Sequence, residues 1–363
     1  MGRTHPGHRR RSGAILLAAL LALSLLGACT AEHTSRSPAA YDRKTIDRKS
    51  IGRESIAGFL RRTLPQGASG TVIAARGDRL VHCAGFGSAD RAAGISAGCR
   101  TVYDVMSITK QFTAAAVLKL QTMGRLDVDD PISRHLGPVP GDKKSITIEH
   151  LLTHTSGLPE SLGDDYAPIS RDQLVRRALA SKLGSAPGKE FHYSNTGYSL
   201  LAAIIEKTSG QGYEPFLARH LFPPAGMKHT GYVLPRWPRH RIAVEYDSRQ
   251  HSKGRPIDHP WAPDGPYWNL RGNGGMLSTA PDMLHWHRAL SGDDILPARA
   301  RRRLFTPRVH DGGNGWSLAV LTRSLRDGVL VYWVSNHAYR KGKWNLEDRA
   351  ETLTQGIADG AHG

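Results

Sequence analysis

The stretch VMSITKQFTAAAVLKL, residues 105–120, decides how the rest of this sequence is interpreted. It places Ser107 and Lys110 three positions apart, at the start of a segment that is almost wholly apolar from Phe112 to Leu120. Such a segment predicts a helix that is buried on most sides, and residues three apart share one face of a helix. Burial lowers the pKa of a lysine, so its neutral amine can take the proton of the serine hydroxyl, whereas a charged lysine can instead stabilise the serine alkoxide. An isolated Ser-x-x-Lys also arises by chance, so other parts of the chain have to support this interpretation.

A second group of polar residues lies in FHYSNTGYSL, residues 191–200. Tyr193 and Asn195 stand there directly before a predicted helix. A phenolate whose pKa is lowered by the neighbouring lysine can act as general base, and its protonated form can return a proton to the leaving group. We expect Asn195 to hydrogen-bond both Lys110 and the substrate carbonyl. The sequence therefore predicts Ser107, Lys110 and Tyr193 as catalytic residues and Asn195 as a substrate-binding residue.

Ser107-Ile108-Thr109-Lys110, Tyr193-Ser194-Asn195 and a later His-x-Gly resemble the motifs of the serine β-lactamase and penicillin-binding-protein superfamily. The Tyr-x-Asn form resembles its class C β-lactamase, DD-peptidase and esterase branch, and the resemblance covers roughly residues 55–357. It implies an α/β fold, in which an antiparallel sheet built from both chain ends is flanked by helices and a mostly helical second lobe lies beside it. It also implies acyl-serine catalysis on a small-molecule or peptide substrate, without a metal or other cofactor.

The third motif of this family is matched best by His310-Asp311-Gly312, followed by Gly313. In the family this element is a strand that lines the cleft, which implies substrate-binding roles for His310, Gly312 and Gly313. It further implies an oxyanion hole made by the backbone amides of Ser107 and Gly313. An alternative match places the motif at His337.

The sequence before the third motif is shorter than in relatives of this branch, and Pro307 in RLFTPRV limits how far a strand there can pair. The sequence therefore leaves two functions open. One is a serine hydrolase acting on peptide, β-lactam or ester carbonyls. The other is a catalytically impaired protein that binds penicillin or wall peptides.

The domain organisation follows from the order of predicted elements. GTVIAARG and DRLVHCAGFG predict a hairpin that turns at Gly77-Asp78, and WSLAVLT and GVLVYWVSN predict two further antiparallel strands. We therefore expect one domain over residues 53–363, with a sheet lobe of about 53–105 and 305–363 and a helical lobe of about 106–300. His154, in THTSG, is interpreted as a structural turn residue.

The N-terminus predicts export from the cytoplasm. Four arginines precede AILLAALLALSLLGAC, which is typical of a signal peptide and is assigned to residues 1–28. Its end, Leu26-Gly27-Ala28-Cys29, resembles a bacterial lipobox, so we expect Cys29 to be lipidated and to anchor the protein to the cell membrane. An ordinary cleaved signal or an uncleaved anchor is the alternative. The polar residues 29–52 are predicted to be a flexible tether.

The formal net charge of +17 suits a protein held beside anionic lipid and wall polymers. A basic lipoprotein that only binds such polymers is a weaker alternative. The basic residues are scattered rather than striped, so we expect no nucleic-acid partner. An oxidising compartment permits a disulfide between Cys83 and Cys99, and a pair of free thiols is the alternative. No metal-ligand pattern appears in the sequence, and we expect a monomer.

Overall fold

A central sheet of five antiparallel strands organises the molecule. The computed structural model describes residues 55–304, 311–324 and 327–362, all of which belong to one compact unit spanning 46–363. The sheet strands are β1 (Ser69–Arg76), β2 (Arg79–Phe86), β11 (Gly312–Gly313), β12 (Leu318–Arg323) and β13 (Val329–His337). Their order across the sheet is β11-β12-β13-β1-β2. Both ends of the chain therefore contribute strands, and the predicted fold class is confirmed.

The remaining elements are short strands and helices placed between or against the sheet strands. The α-helices are α1 (Ile56–Thr63), α2 (Thr109–Thr122), α3 (Ser133–Leu136), α4 (Ile148–Leu152), α5 (Arg171–Ala180), α6 (Asn195–Ser209), α7 (Tyr213–His220), α8 (Ala280–Ala289), α9 (Ala298–Leu304) and α10 (Ala350–His362). The short strands are β3 (Ser88–Asp90), β4 (Ile95–Ser96), β5 (Val102–Asp104), β6 (Glu245–Tyr246), β7 (Ser252–Gly254), β8 (Trp261–Ala262), β9 (Gly265–Pro266), β10 (Leu277–Thr279), β14 (Tyr339–Arg340) and β15 (Trp344–Asn345).

The two faces of the sheet are buried against different partners because side chains alternate along a strand. On β13, Tyr332 and Val334 point into a core shared with α2, α6 and α8. Their neighbours Val331 and Trp333 point into a second core that contains residues of α1 and α10. β13 is buried along its whole length, as expected for a central strand covered on both faces.

Helix α2 lies in the larger core, as its apolar sequence predicts. Phe112 packs edge-on against Phe222 and Trp286, with ring centroids 5.4 and 4.8 Å apart. Of its fourteen residues, eleven are buried, so this helix cannot move without disturbing the core. It is therefore a rigid base for any side chain that it presents to the cleft.

Local signals in the sequence begin and end these elements. Gly77 adopts a φ of +55° in the turn between β1 and β2, in the left-handed region that glycine tolerates. Thr147 and Ser170 cap α4 and α5, and Gly210 ends α6 with a φ of +71°. Cys83 and Cys99, which are 16 positions apart in the sequence, form a disulfide.

Some sequence predictions fall on residues outside the described ranges. These are the signal peptide of residues 1–28, the lipidated Cys29, the tether of 29–52 and the substrate-binding His310. Within the ranges that the structure does describe, none of the helices has the length and apolar character needed to span a membrane.

Candidate active site

Ser107 lies on a sharp turn at the start of α2. A short 3₁₀ turn, Met106–Ile108, leads into the helix, and Met106 has a left-handed φ of +48°. The carboxylate of Asp104 accepts a hydrogen bond of 2.6 Å from the Met106 amide and another from the Gly275 amide. A left-handed conformation is costly for a residue with a long side chain. The buried Asp104 therefore compensates for the strain that presents Ser107 to the cleft.

Lys110 lies one turn further along α2, and its side chain is only 1% exposed. Its Nζ is 3.0 Å from Ser107 Oγ and donates a hydrogen bond of 2.7 Å to the carbonyl of Asn273. Burial lowers the pKa of Lys110 to about 7, although the charges of Asp165 and Glu160 act in the opposite direction. The Lys110 amine is therefore neutral in a substantial fraction of the molecules near physiological pH, and the neutral amine can accept the serine proton.

Tyr193 approaches Ser107 from the segment that precedes α6. Its hydroxyl donates a hydrogen bond of 2.7 Å to Ser107 Oγ, and Lys110 Nζ lies 4.8 Å from the centre of its ring. Burial raises the pKa of Tyr193, and the hydrogen bond to Ser107 opposes this only in part. The prediction that Lys110 lowers this pKa is therefore wrong. Tyr193 keeps its proton, which suits a proton donor better than a general base.

Asn195 opens α6 but does not hydrogen-bond Lys110, so this expected contact is wrong. The Lys110 amine instead donates a hydrogen bond to the backbone carbonyl of Asn273. The side-chain amide of Asn273 in turn donates to the Asn269 carbonyl. Within the described residues, Oδ1 of Asn195 is buried and has no hydrogen-bond partner. The substrate-binding role of Asn195 stays a prediction.

The third motif lies beside Ser107 at the edge of the sheet. Gly312 and Gly313 form β11 and pair with β12, opposite Ala319 and Leu318. A Cβ atom on Gly312 would stand 2.5 Å from Ser107 N and 2.8 Å from Met106 Cβ. Only glycine permits this approach, which brings β11 against the amide of the serine.

The alternative match at His337 does not fit this geometry. That residue ends β13 in the interior of the sheet, pairs with Ser69 and lies 2.6 Å from Arg91. The described part of the third motif therefore favours the register in which His310 precedes Asp311 and Gly312.

We expect the catalytic activity to rise with pH as Lys110 loses its proton. Since burial lowers the pKa of Lys110 to about 7, the neutral base is scarce below this pH and abundant above it. The pH profile of kcat/KM for an ester substrate should therefore increase with an apparent pKa of about 7. Hydrolysis by Ser107→Ala serves as the background to subtract. A profile that is flat or falls across this range would contradict the role of the lysine as general base.

Comparisons of the sequence with known proteins show the family to which the chain is related. The profile of the Beta-lactamase family matches residues 60–336. The chain is 33% identical over 264 residues to PbpX of Bacillus subtilis (strain 168), a match that covers 73% of this chain and 63% of that protein. It is 31% identical over 283 residues to penicillin-binding protein 4* of the same strain, covering 72% and 62%. The chain thus spans under two thirds of the length of both relatives.

Solved structures share the fold. A penicillin-binding protein from Bacillus halodurans superposes with a TM-score of 0.67 at 24% identity, covering 82% of this chain and 99% of that one. A D-amino acid amidase from Ochrobactrum anthropi SV3 gives a TM-score of 0.69 at 22% identity, covering 83% and 97%. At this level of identity the likeness establishes the fold alone.

Proposed function

The chain belongs to the Beta-lactamase family, and from that premise we propose that it is a serine hydrolase that works through an acyl-serine intermediate on Ser107. One observation carries the proposal. The hydroxyl of Ser107 lies 3.0 Å from the amine of Lys110 and 2.7 Å from the hydroxyl of Tyr193. A nucleophile, a base of lowered pKa and a proton donor thus meet at one point of the cleft.

The reaction follows from these three groups. Neutral Lys110 takes the proton of Ser107, and Oγ attacks the carbonyl carbon of the substrate. The amides of Ser107 and Gly313 stabilise the oxyanion that forms. When the tetrahedral intermediate collapses, Tyr193 gives its proton to the leaving group and recovers one from the Lys110 ammonium. In the second half of the reaction, water attacks the acyl-serine while Tyr193 takes its proton and passes its own to Lys110. Lys110 then returns this proton to Ser107 Oγ as the acid leaves, which restores the three groups.

We propose that the substrates are peptide, β-lactam or ester carbonyls outside the cytoplasm. Solved structures of the same fold include proteins described as a D-amino acid amidase and as EstCE1, a hydrolase with promiscuous acyltransferase activity. The predicted signal peptide and the lipobox cysteine, Cys29, support an anchor on the outer face of the cell membrane, and we propose that the anchored protein is a monomer. Loss of membrane partitioning and of palmitate labelling in Cys29→Ala tests the anchor, and light scattering tests the monomer.

The experiment that tests the activity is a panel of three substrates: nitrocefin, a p-nitrophenyl ester and a D-Ala-D-Ala peptide. Each is assayed with the natural protein, Ser107→Ala and Tyr193→Phe. We expect at least one substrate to be turned over by the natural protein and to lose almost all turnover with Ser107→Ala. Equal activity of the three proteins would overturn the proposal. Labelling of Ser107 by a fluorescent penicillin without turnover of any substrate would instead support the impaired binding protein.

A second, narrower substrate class is favoured by Asp165: amides or esters of D-amino acids with a free ammonium group. Asp165 is partly buried and acts electrostatically on Lys110. Within the described residues, no hydrogen bond or ion pair to its carboxylate is seen. Burial raises the pKa of Asp165 to about 6, so its ionised form would be favoured by a nearby positive charge. A substrate ammonium would supply the missing partner, whereas the carboxylate of a penicillin would be repelled.

Replacing Asp165 by asparagine is therefore expected to lower kcat/KM for D-alanine p-nitroanilide by about tenfold, equivalent to roughly 1.4 kcal/mol. N-acetyl-D-alanine p-nitroanilide should change less than about twofold, because it carries no ammonium to lose. The loss of the Asp165 charge also lowers the pKa of Lys110, but that effect is the same for both substrates. The kcat/KM of each protein for the D-alanine substrate is therefore divided by its kcat/KM for the N-acetylated one at about pH 7, where the substrate ammonium is still mostly charged.

The matched control for this prediction is Asp164→Asn, which changes the adjacent carboxylate. Asp164 Oδ1 accepts a hydrogen bond from the Tyr166 amide, and the amide oxygen of asparagine can keep that bond. An equal effect of Asp165→Asn on both substrates would mean that Asp165 acts only through Lys110. The narrower substrate class would then be wrong while the serine hydrolase stands.

A further inference from the structure

His154 lies outside the three groups assigned to the chemistry, yet it is one of the most constrained residues near them. It follows α4 in the segment THTSG, is 1% exposed and has a left-handed φ of +58°. Histidine in this conformation is uncommon and persists only where its surroundings impose it. The contacts of its backbone and of its ring therefore hold His154 in this conformation.

The backbone and the side chain of His154 hold the chain on both sides of Tyr193. The His154 carbonyl accepts a hydrogen bond of 2.8 Å from the amide of His192. Its Nδ1 accepts one of 3.0 Å from the amide of Ser194. The residue before Tyr193 and the residue after it are thus both bonded to this one histidine.

The imidazole ring also contacts the ring of Tyr193 directly. Their centroids are 4.7 Å apart with an angle of 26° between the planes, which is a stacked arrangement. On the same histidine, the ring of Tyr198 lies 5.0 Å away at 30°. Tyr198 belongs to α6 and its hydroxyl is anchored on the Leu152 carbonyl, so the stack is fixed to the helical part of the molecule.

Tyr193 needs such external support because its own segment supplies little. Residues 191–194 form neither helix nor strand, so they lack the repeating hydrogen bonds that hold regular elements in place. Its hydroxyl must nevertheless stay 2.7 Å from Ser107 Oγ to exchange a proton. A displacement of about 1 Å in such a contact can cost about a hundredfold in rate.

We propose that His154 is a positioning residue, which holds Tyr193 at Ser107 through two backbone hydrogen bonds and a ring stack. This rests on the proposed function, since it assigns to Tyr193 a part in the reaction. The inference goes beyond the sequence-based interpretation of His154 as a turn residue, because a turn requires neither the bond to Ser194 nor the stack on Tyr193.

A double-mutant cycle tests the proposal. His154→Ala should lower kcat by about 10- to 100-fold with little change in KM, because the misplaced phenol affects the chemical step more than binding. In a Tyr193→Phe background the same change should cost less than about twofold, because the hydroxyl that His154 positions is already gone. His154→Asn should recover part of the loss, since asparagine tolerates a left-handed φ and retains an acceptor for the Ser194 amide.

Two controls keep the outcomes distinct. His150→Ala removes an imidazole from α4 whose ring contacts the Thr147 amide, and it reports the general cost of a cavity in this region. If His154→Ala fails to fold, the cycle is run with His154→Asn. A full loss of kcat from the His154 change in the Tyr193→Phe background would overturn the proposal, as would no loss in the natural background. If Tyr193→Phe itself costs nothing, the proton-donor role of Tyr193 is wrong and the positioning role of His154 falls with it, while the loss of turnover in Ser107→Ala still tests the serine hydrolase separately.

Discussion

Lys110→Met is expected to lower kcat/KM by about 10³-fold on any substrate that the protein hydrolyses. General-base catalysis contributes about 10² to 10⁴ in rate, and no other described amine or imidazole hydrogen-bonds Ser107. Methionine has nearly the length of lysine and no polar atom that needs a partner at a site only 1% exposed. The variant should therefore fold, with a melting temperature close to that of the natural protein, because the lost hydrogen bond to the Asn273 carbonyl is offset by no longer burying an amine.

Lys110→Arg separates the two tasks that this residue could perform. A guanidinium keeps the positive charge but cannot lose its proton in a protein, so it cannot act as a base. If the neutral amine is required, arginine should be as inactive as methionine. Substantial activity with arginine, at correct folding, would show that a positive charge beside Ser107 is enough and that the base lies elsewhere.

Gly312→Ala is expected to reduce kcat/KM by about 10² to 10³, the usual cost of losing an oxyanion-hole donor. The added methyl group would stand 2.5 Å from the Ser107 amide and 2.8 Å from Met106 Cβ, so β11 must move away from the serine. The first of these atoms is backbone and the second lies on a strained turn, so neither can give way cheaply. The amide of Gly313 would move with the strand.

The matched control is Gly141→Ala, at a glycine whose Cβ would meet nothing within 4 Å. It should leave kcat/KM and the melting temperature unchanged. The comparison is best made on kcat, since a displaced oxyanion hole weakens the transition state more than the bound substrate. Full activity of a well-folded Gly312→Ala protein would show that this edge of the sheet does not take part in the reaction.

Much of the fold could be predicted because the sequence shows the apolar pattern of its helices and strands and the residues that begin and end them. The near-continuous apolar runs of α2 and β13 both report burial directly. Thr147, Ser170 and Gly210 mark helix ends by chemistry that acts over a few residues. Local signals of this kind do not depend on the rest of the chain.

The site was predictable where spacing along a helix fixes geometry, and less so elsewhere. Ser107 and Lys110 share a helix face, so their contact follows from the sequence. The raised pKa of Tyr193 could not be foreseen, because it depends on how deeply the fold buries the phenol. The partner of the Lys110 amine, the carbonyl of Asn273, is a backbone atom and leaves no trace in residue type.

His154 and Asp104 illustrate a further limit. Each holds a catalytic segment through backbone amides, at Ser194 and Met106, rather than through another side chain. The sequence shows only that a histidine follows a helix and that an aspartate precedes the serine by three positions. The left-handed conformations of His154 itself and of Met106, which Asp104 contacts, become visible only when the backbone angles are known.

The central claim is that Ser107 carries the acyl group, and trapping that intermediate tests it most directly. The natural protein is mixed with a slowly hydrolysed acyl donor such as a penicillin, quenched in acid and digested, and the peptides are examined by mass spectrometry. We expect the mass of the acyl group on the peptide that contains Ser107 and on no other, with none in Ser107→Ala. An acyl group on a different residue, or turnover that survives in Ser107→Ala, would contradict the account.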